Sequence, residues 1–147
     1  MQYVENNQEK YDTYLVLYNK LKHAMTREFY LESILITYAI FEDRSKSILA
    51  HLAIYDEKKH RDLARKIVSI NNLIEQKHKI VSKYLNPDII ENIGVWRQKR
   101  NKIIHGLANL KYDDEEIKKI ATDGYELVKK FSNATTSIRR KVESAKK

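Results

Sequence analysis

Apolar positions recur along this chain at steps of three and four residues, the spacing that lines one face of an α-helix. Tyr11, Tyr14, Leu15, Tyr18, Leu21 and Met25 form the first such stripe and predict a helix over about residues 6–24. A second segment, about 27–53, contains Ile34-Leu35-Ile36-Thr37-Tyr38-Ala39-Ile40-Phe41. It is apolar on nearly all sides and predicts the central, most buried helix. Leu63, Ile67, Ile70, Ile74 and Val81 predict a third helix over about 58–83. Asn86-Pro87-Asp88 supplies a cap, a proline for the first helical position and an acid for the first turn, so a fourth helix starts there. It runs to about His105, ended by Gly106 or by the Lys111-Tyr112-Asp113-Asp114 stretch. Ile117, Ile120, Gly124, Val128, Phe131, Thr135, Ile138 and Val142 predict a fifth helix over about 114–142. Short connections between long helices imply an all-α, antiparallel up-down bundle of four long helices plus one shorter or additional helix. The whole chain, 1–147, reads as a single domain, with the basic end from about 139 to 147 fraying.

Composition supports this picture and narrows the chemistry. Three glycines and one proline leave little turn material for sheets. No segment approaches the roughly 20 apolar residues that cross a bilayer. Met1-Gln2-Tyr3-Val4-Glu5-Asn6-Asn7 has neither a basic lead nor an apolar run, so no signal peptide is expected. The absence of cysteine removes disulfides, thiolate zinc sites and thiol catalysis. The expected location is the cytoplasm. A net charge of +8 favours an acidic partner, of which nucleic acid is the commonest. The charge is diffuse, with one concentration at Arg139-Arg140-Lys141 and Lys146-Lys147.

The fourth helix breaks its own pattern. Ile89, Ile93, Trp96, Arg100, Ile103 and Leu107 form one seam, and Arg100 stands where an apolar residue is expected. A guanidinium there costs several kcal/mol unpaired, or it has a dedicated partner or an anionic ligand. His105 follows, the side-chain type that exchanges a proton near neutral pH. In an unbroken helix Arg100 and His105 lie roughly 140° apart, whereas Asn101 and His105 differ by only about 40° and share a face with Arg97. For Arg100 and His105 to meet at one phosphate, the arginine must reach round or the helix must end before His105. On the second helix the apolar run stops at Glu42, on the same strip as Leu35, Tyr38, Ser45 and Leu49. A carboxylate there is placed to pair with Arg100 or Arg97 and orient it. Glu32 is a second candidate.

Arg100-Asn101 followed by His105, late in an all-α chain of this size, resembles the Arg-x4-His signature of HEPN (higher eukaryotes and prokaryotes nucleotide-binding) domains. The resemblance implies a four-helix fold and a metal-independent endoribonuclease, often a toxin or antiviral defence effector. It further implies a homodimer whose active site forms where two motifs meet, and an antitoxin or regulatory partner. Arg100 and His105 match the motif, Asn101 its polar second position, and Glu42 matches loosely by helix and environment; Arg97 is a supporting candidate. The residues suit that chemistry. An imidazole ordinarily titrates near pH 6.5 and serves as general base or acid, while arginine binds phosphate oxygens in a bidentate manner. Such cleavage needs no cofactor or metal and leaves a 2′,3′-cyclic phosphate and a 5′-hydroxyl. His51, Asp56 and His60 do not make a recognisable ligand set.

Other readings stay open at this stage. Arg100 with Glu42 is also a structural bridge, and His105-Gly106 a favourable cation and terminator at a helix end. The bundle is then a non-catalytic interaction module, or a module that binds nucleotide or RNA. Trp96 and most tyrosines read as core and interface packing.

Overall fold

Helices begin where the sequence supplies an oxygen for the first free amides. Asp62 accepts from the Arg65 N–H at 2.9 Å, Asn86 from Asp88 at 2.9 Å, and Asp113 from Glu115 at 2.9 Å. These caps open three of the helices in the computed structural model: α1 (Asn7–Thr26), α2 (Tyr30–His51), α3 (Leu63–Glu75), α4 (Val81–Tyr84), α5 (Pro87–Ala108) and α6 (Asp114–Ala145). Residues 7–146 are described, with side chains from Thr13 onward. The reading of the first residues, the Tyr11 side chain and Lys147 lie outside those bounds. The chain is all-α, with no strand among the described residues, and no described helix is long and apolar enough to cross a membrane.

The core is organised around α2 and α6, which pack most extensively on each other. Phe41 meets Phe131 with ring centroids 6.2 Å apart, and Gly124 faces Thr37, so the two helices run in the same sense. Helix α5 returns against both. The Trp96 ring stands edge-on to Phe41 at 5.1 Å, and its indole N–H donates to the Ile120 carbonyl at 2.8 Å. Trp96 is core, as expected. Helix α1 is fastened to α2 by Arg44, whose buried guanidinium binds Asp43 at 2.7 Å and lies 4.7 Å over the Tyr14 ring.

Three expectations are corrected. The predicted third helix is two helices. Its start slips because the Asp56 carboxylate takes the amides of Lys58 and Lys59, and Asp62 caps only at Leu63. Its end comes at Glu75, where Lys77 adopts a left-handed φ of 57°. The fourth helix passes through Gly106 to Ala108. Gly106 is a close-approach position: its carbonyl accepts from the Lys111 N–H at 2.8 Å, and a Cβ there would collide with the Lys111 carbonyl. The basic end does not fray at 139, since Ile138 and Val142 bury and keep α6 helical to Ala145. Helix α2 is the central helix, as expected, although Leu31 and Leu35 on it are 38% and 54% exposed.

The 52–62 connection is pinned by His60. Its Nδ1 accepts from the Asp56 N–H at 3.0 Å, which leaves the ring proton on Nε2 to donate to Ser69 Oγ at 2.9 Å. The ring is buried and stacks on Tyr55.

Two predictions follow from the packing. A methyl at Gly124 would stand 2.7 Å from Trp96 Nε1 and 2.9 Å from Thr37 Cγ2. Gly124→Ala should therefore lower unfolding free energy by about 1–3 kcal/mol through overpacking, outweighing the helix propensity gained. Chemical denaturation measures it. Burial, followed by the charge of Lys59, pushes the His60 pKa below its ordinary value. The unfolded chain then binds a proton at higher pH than the fold does, so this contribution to stability is complete above about pH 6.5 and is lost as pH falls toward the folded pKa. His60→Gln keeps an N–H donor and removes the titration. The stability difference between wild type and this variant should shrink across that acidic window; a difference independent of pH contradicts the neutral, buried imidazole.

Candidate functional site

Helix α5 carries the site, and the Trp96 contact sets its position. One turn beyond Trp96, the half-buried Arg100 guanidinium lies 4.1 Å over the ring of Tyr38, which is one turn before Phe41 on α2. Its Nη1 donates to Asn101 Oδ1 at 3.1 Å. Its Nε is buried with no acceptor, and among the described residues Arg100 has no ion pair with a carboxylate. The expected pairing with Glu42 is therefore not made, and Arg97 does not make it either. Both carboxylate and guanidinia stay close by. Burial first, then Glu42, raises the Tyr38 hydroxyl pKa, while Arg100 and Arg97 pull it down and Asp62 pushes it up. Tyr38 stays a protonated hydroxyl at neutral pH.

The comparison with Arg44 shows what is unusual. Both arginines lie over a tyrosine, but Arg44 also binds the Asp43 carboxylate through Nε and Nη2. Arg100 has the stack and a neutral amide oxygen only. A cation–π contact contributes about 0.5–2 kcal/mol, and a buried donor without an acceptor costs about 1–3 kcal/mol. The stack does not clearly offset the loss, so the Arg100 site is electrostatically incomplete.

His105 stands apart from that arrangement. Because α5 continues to Ala108, the helix neither ends nor bends before His105, and the two motif residues lie roughly 140° apart around it. Arg100 turns inward over Tyr38, and His105 is exposed in the last turn. A single protomer does not bring them to one point. Arg97, Asn101 and Ile104 share a stripe of α5, with His105 at its outer edge. The Arg100–Tyr38 contact sets this part of α5 against α2, where Leu35 and Glu42 lie one turn to either side of Tyr38. Leu35, one turn from Tyr38, is 54% exposed. Glu32 lines a cleft with Phe29, Leu31, Tyr112 and Asp114.

Sequence reasoning missed Tyr38 as the platform for Arg100. The signal was present: Tyr38 lies one turn before Glu42 on the same strip, and an aromatic ring is the neutral alternative to a carboxylate beneath a seam arginine. Comparison of the chain with protein-family models, curated proteins and solved structures returns no match.

An incomplete site carries a stability signature. Arg100→Met retains the length and apolar stem while removing the unpartnered Nε. The variant should match or exceed wild type in denaturation midpoint, because it removes a buried donor without an acceptor and keeps the apolar stem. A loss of about 3 kcal/mol or more, the scale of a broken buried pair, would mean that Arg100 has a structural counter-charge.

Proposed function

We propose that the protein is a metal-independent endoribonuclease of the HEPN type, with an up-down bundle as its scaffold and a cleft between two copies as its active site. The observation that carries this reading is the Arg100 guanidinium: half-buried on Tyr38, bonded to Asn101 and unmatched by any carboxylate ion pair among the described residues. A phosphate of RNA supplies the missing negative charge in the bidentate geometry arginine favours. The separation of Arg100 from His105 around α5 supports a composite site, and the exposed Leu35, one turn from Tyr38, offers apolar ground for the second copy.

In this mechanism His105 removes the proton from a ribose 2′-hydroxyl. The 2′-oxygen attacks the adjacent phosphorus, and Arg100 stabilises the negative charge that develops on the phosphorane oxygens. The bond to the 5′-oxygen then breaks, and that oxygen takes a proton from the second copy's imidazolium or from water. The products are a 2′,3′-cyclic phosphate and a 5′-hydroxyl end. Asn101 holds the guanidinium in place, Arg97 adds positive charge to the same face, and Glu42 acts through the field at Tyr38. Such an enzyme fits a cytoplasmic toxin or defence effector restrained by an antitoxin or other regulatory partner. A second reading is a non-catalytic module that binds RNA or nucleotide. It is favoured by the outward, separate position of His105.

Incubation of single-stranded RNA in excess EDTA with wild type, Arg100→Met and His105→Ala separates the two readings. Wild type should cleave and leave cyclic phosphate ends. Each variant should lose about 100-fold or more, the usual scale for a general base or a phosphate-stabilising cation. Equal cleavage by all three removes these residues from the chemistry. Binding without cleavage by wild type supports the module.

A further inference from the structure

The basic run near the end of the chain gains a facing element in the fold. Ser137, Arg140, Lys141 and Ser144 follow one another at steps of three, one and three, so they share one side of α6. The far side carries the buried Ile138 and Val142, which keep the helix wound to Ala145 and hold the cations in place. Helix α4 packs against this end of α6, and its Tyr84 lines a cleft of about 360 Å³ together with those four residues. Lys83 Nζ lies 5.4 Å from the centre of the Tyr84 ring. Two cations thus line the cleft, and a third stands against its aromatic wall.

The charge there is not balanced. Among the described residues no carboxylate lines the cleft, and none forms an ion pair with Lys83, Arg140 or Lys141. Glu143, the nearest carboxylate along α6, already has a partner and lies outside the lining. The C-terminal end of α6 contributes roughly half a negative charge, too little to offset three cations. Ser137 and Ser144 donate their protons to the carbonyls of Asn133 and Lys141, at 3.2 and 3.3 Å. Their short side chains open the floor of the cleft and leave donation to the cations.

We propose that this cleft holds the backbone of a single-stranded nucleic acid, with Arg140 and Lys141 on its phosphates, Lys83 beside them and Tyr84 as the wall against which a base lies. A positively charged groove with an aromatic side chain in it is the general means of holding single strands. A compact free anion is better served by enclosed donors that converge on one point. Arg140 and Lys141 are exposed and stand about 100° apart around α6, on the two flanks of the cleft, which suits successive phosphates of a strand. The cleft is remote from the candidate active site, since α5 rises about 20 Å from Pro87, just after Tyr84, to Arg100. Binding there goes beyond the proposed chemistry and does not require it.

Fluorescence anisotropy of a labelled single-stranded DNA oligonucleotide with the full chain tests this. DNA lacks the 2′-hydroxyl, so no cleavage intervenes and the result is independent of whether Arg100 and His105 are catalytic. Wild type should bind, and the double variant Arg140→Gln, Lys141→Gln should bind about tenfold more weakly or worse at low salt. Its slope of log affinity against log salt should be shallower by about 1.4, or about 0.7 for each lost phosphate contact. Lys83→Gln should weaken binding by a smaller factor. The pair Lys20→Gln, Lys22→Gln removes the same charge from the exposed side of α1 and should leave affinity almost unchanged. Equal weakening by the two pairs would mean that net charge alone attracts the strand, and no binding by wild type would remove the strand altogether; either result overturns the proposal. So does displacement of the oligonucleotide by inorganic phosphate well below the ionic strength at which potassium chloride displaces it, which marks a site for the free anion.

Discussion

The Trp96 contact is the joint on which the rest of this molecule depends. Its ring meets Phe41 of α2 edge-on, its N–H binds the Ile120 carbonyl of α6, and Gly124 leaves room for both. That single side chain fixes the height and rotation of α5 against the two core helices. Four residues later on the same seam, Arg100 has no freedom to choose its neighbour. The antiparallel register that places Trp96 on Phe41 places Arg100 on Tyr38, three residues back along α2. The candidate site is a consequence of core packing as much as of its own polar chemistry, which is how rigid elements hold a functional group in place.

What the core places there is a cation without a matching anion. At Arg44 the same kind of tyrosine stack is completed by the Asp43 carboxylate. At Arg100 the carboxylate of Glu42 stays within electrostatic reach of Tyr38 but forms no ion pair with the guanidinium among the described residues. Had Glu42 closed that pair, an arriving phosphate would compete with a fixed carboxylate. Leaving the pair open keeps the guanidinium available, at a cost in folding energy that the surrounding apolar packing absorbs.

The repeating apolar positions made the helices and most of the core legible in the sequence: Ile34, Phe41, Ile70, Ile93, Ile120, Phe131 and Ile138 are all fully or nearly fully buried. Boundaries were less legible, because local side-chain bonds decide them. Asp56 and His60 hold a turn where periodicity alone extends a helix, and Gly106 serves a close approach to Lys111 where its identity suggests a terminator. The anomaly of Arg100 was visible from its place on the seam, but its partner was not. Spacing put Tyr38 and Glu42 on one strip, and choosing between ring and carboxylate needs the register between α2 and α5, which no single helix encodes. The open flank of α2 was hidden for a related reason: a helix apolar all round does not show which side lacks a neighbour.

The account stands or falls on whether Arg100 of one copy works with His105 of another. Mixing Arg100→Met with His105→Ala, after reversible dissociation so that the two chains can pair, tests this directly through RNA cleavage in EDTA. The mixture should cleave RNA well above either variant alone, because a mixed pair still contains one intact Arg100 and one intact His105 facing the same cleft. A mixture as inactive as its components, with mixed pairs demonstrated by native mass spectrometry, would contradict the composite site.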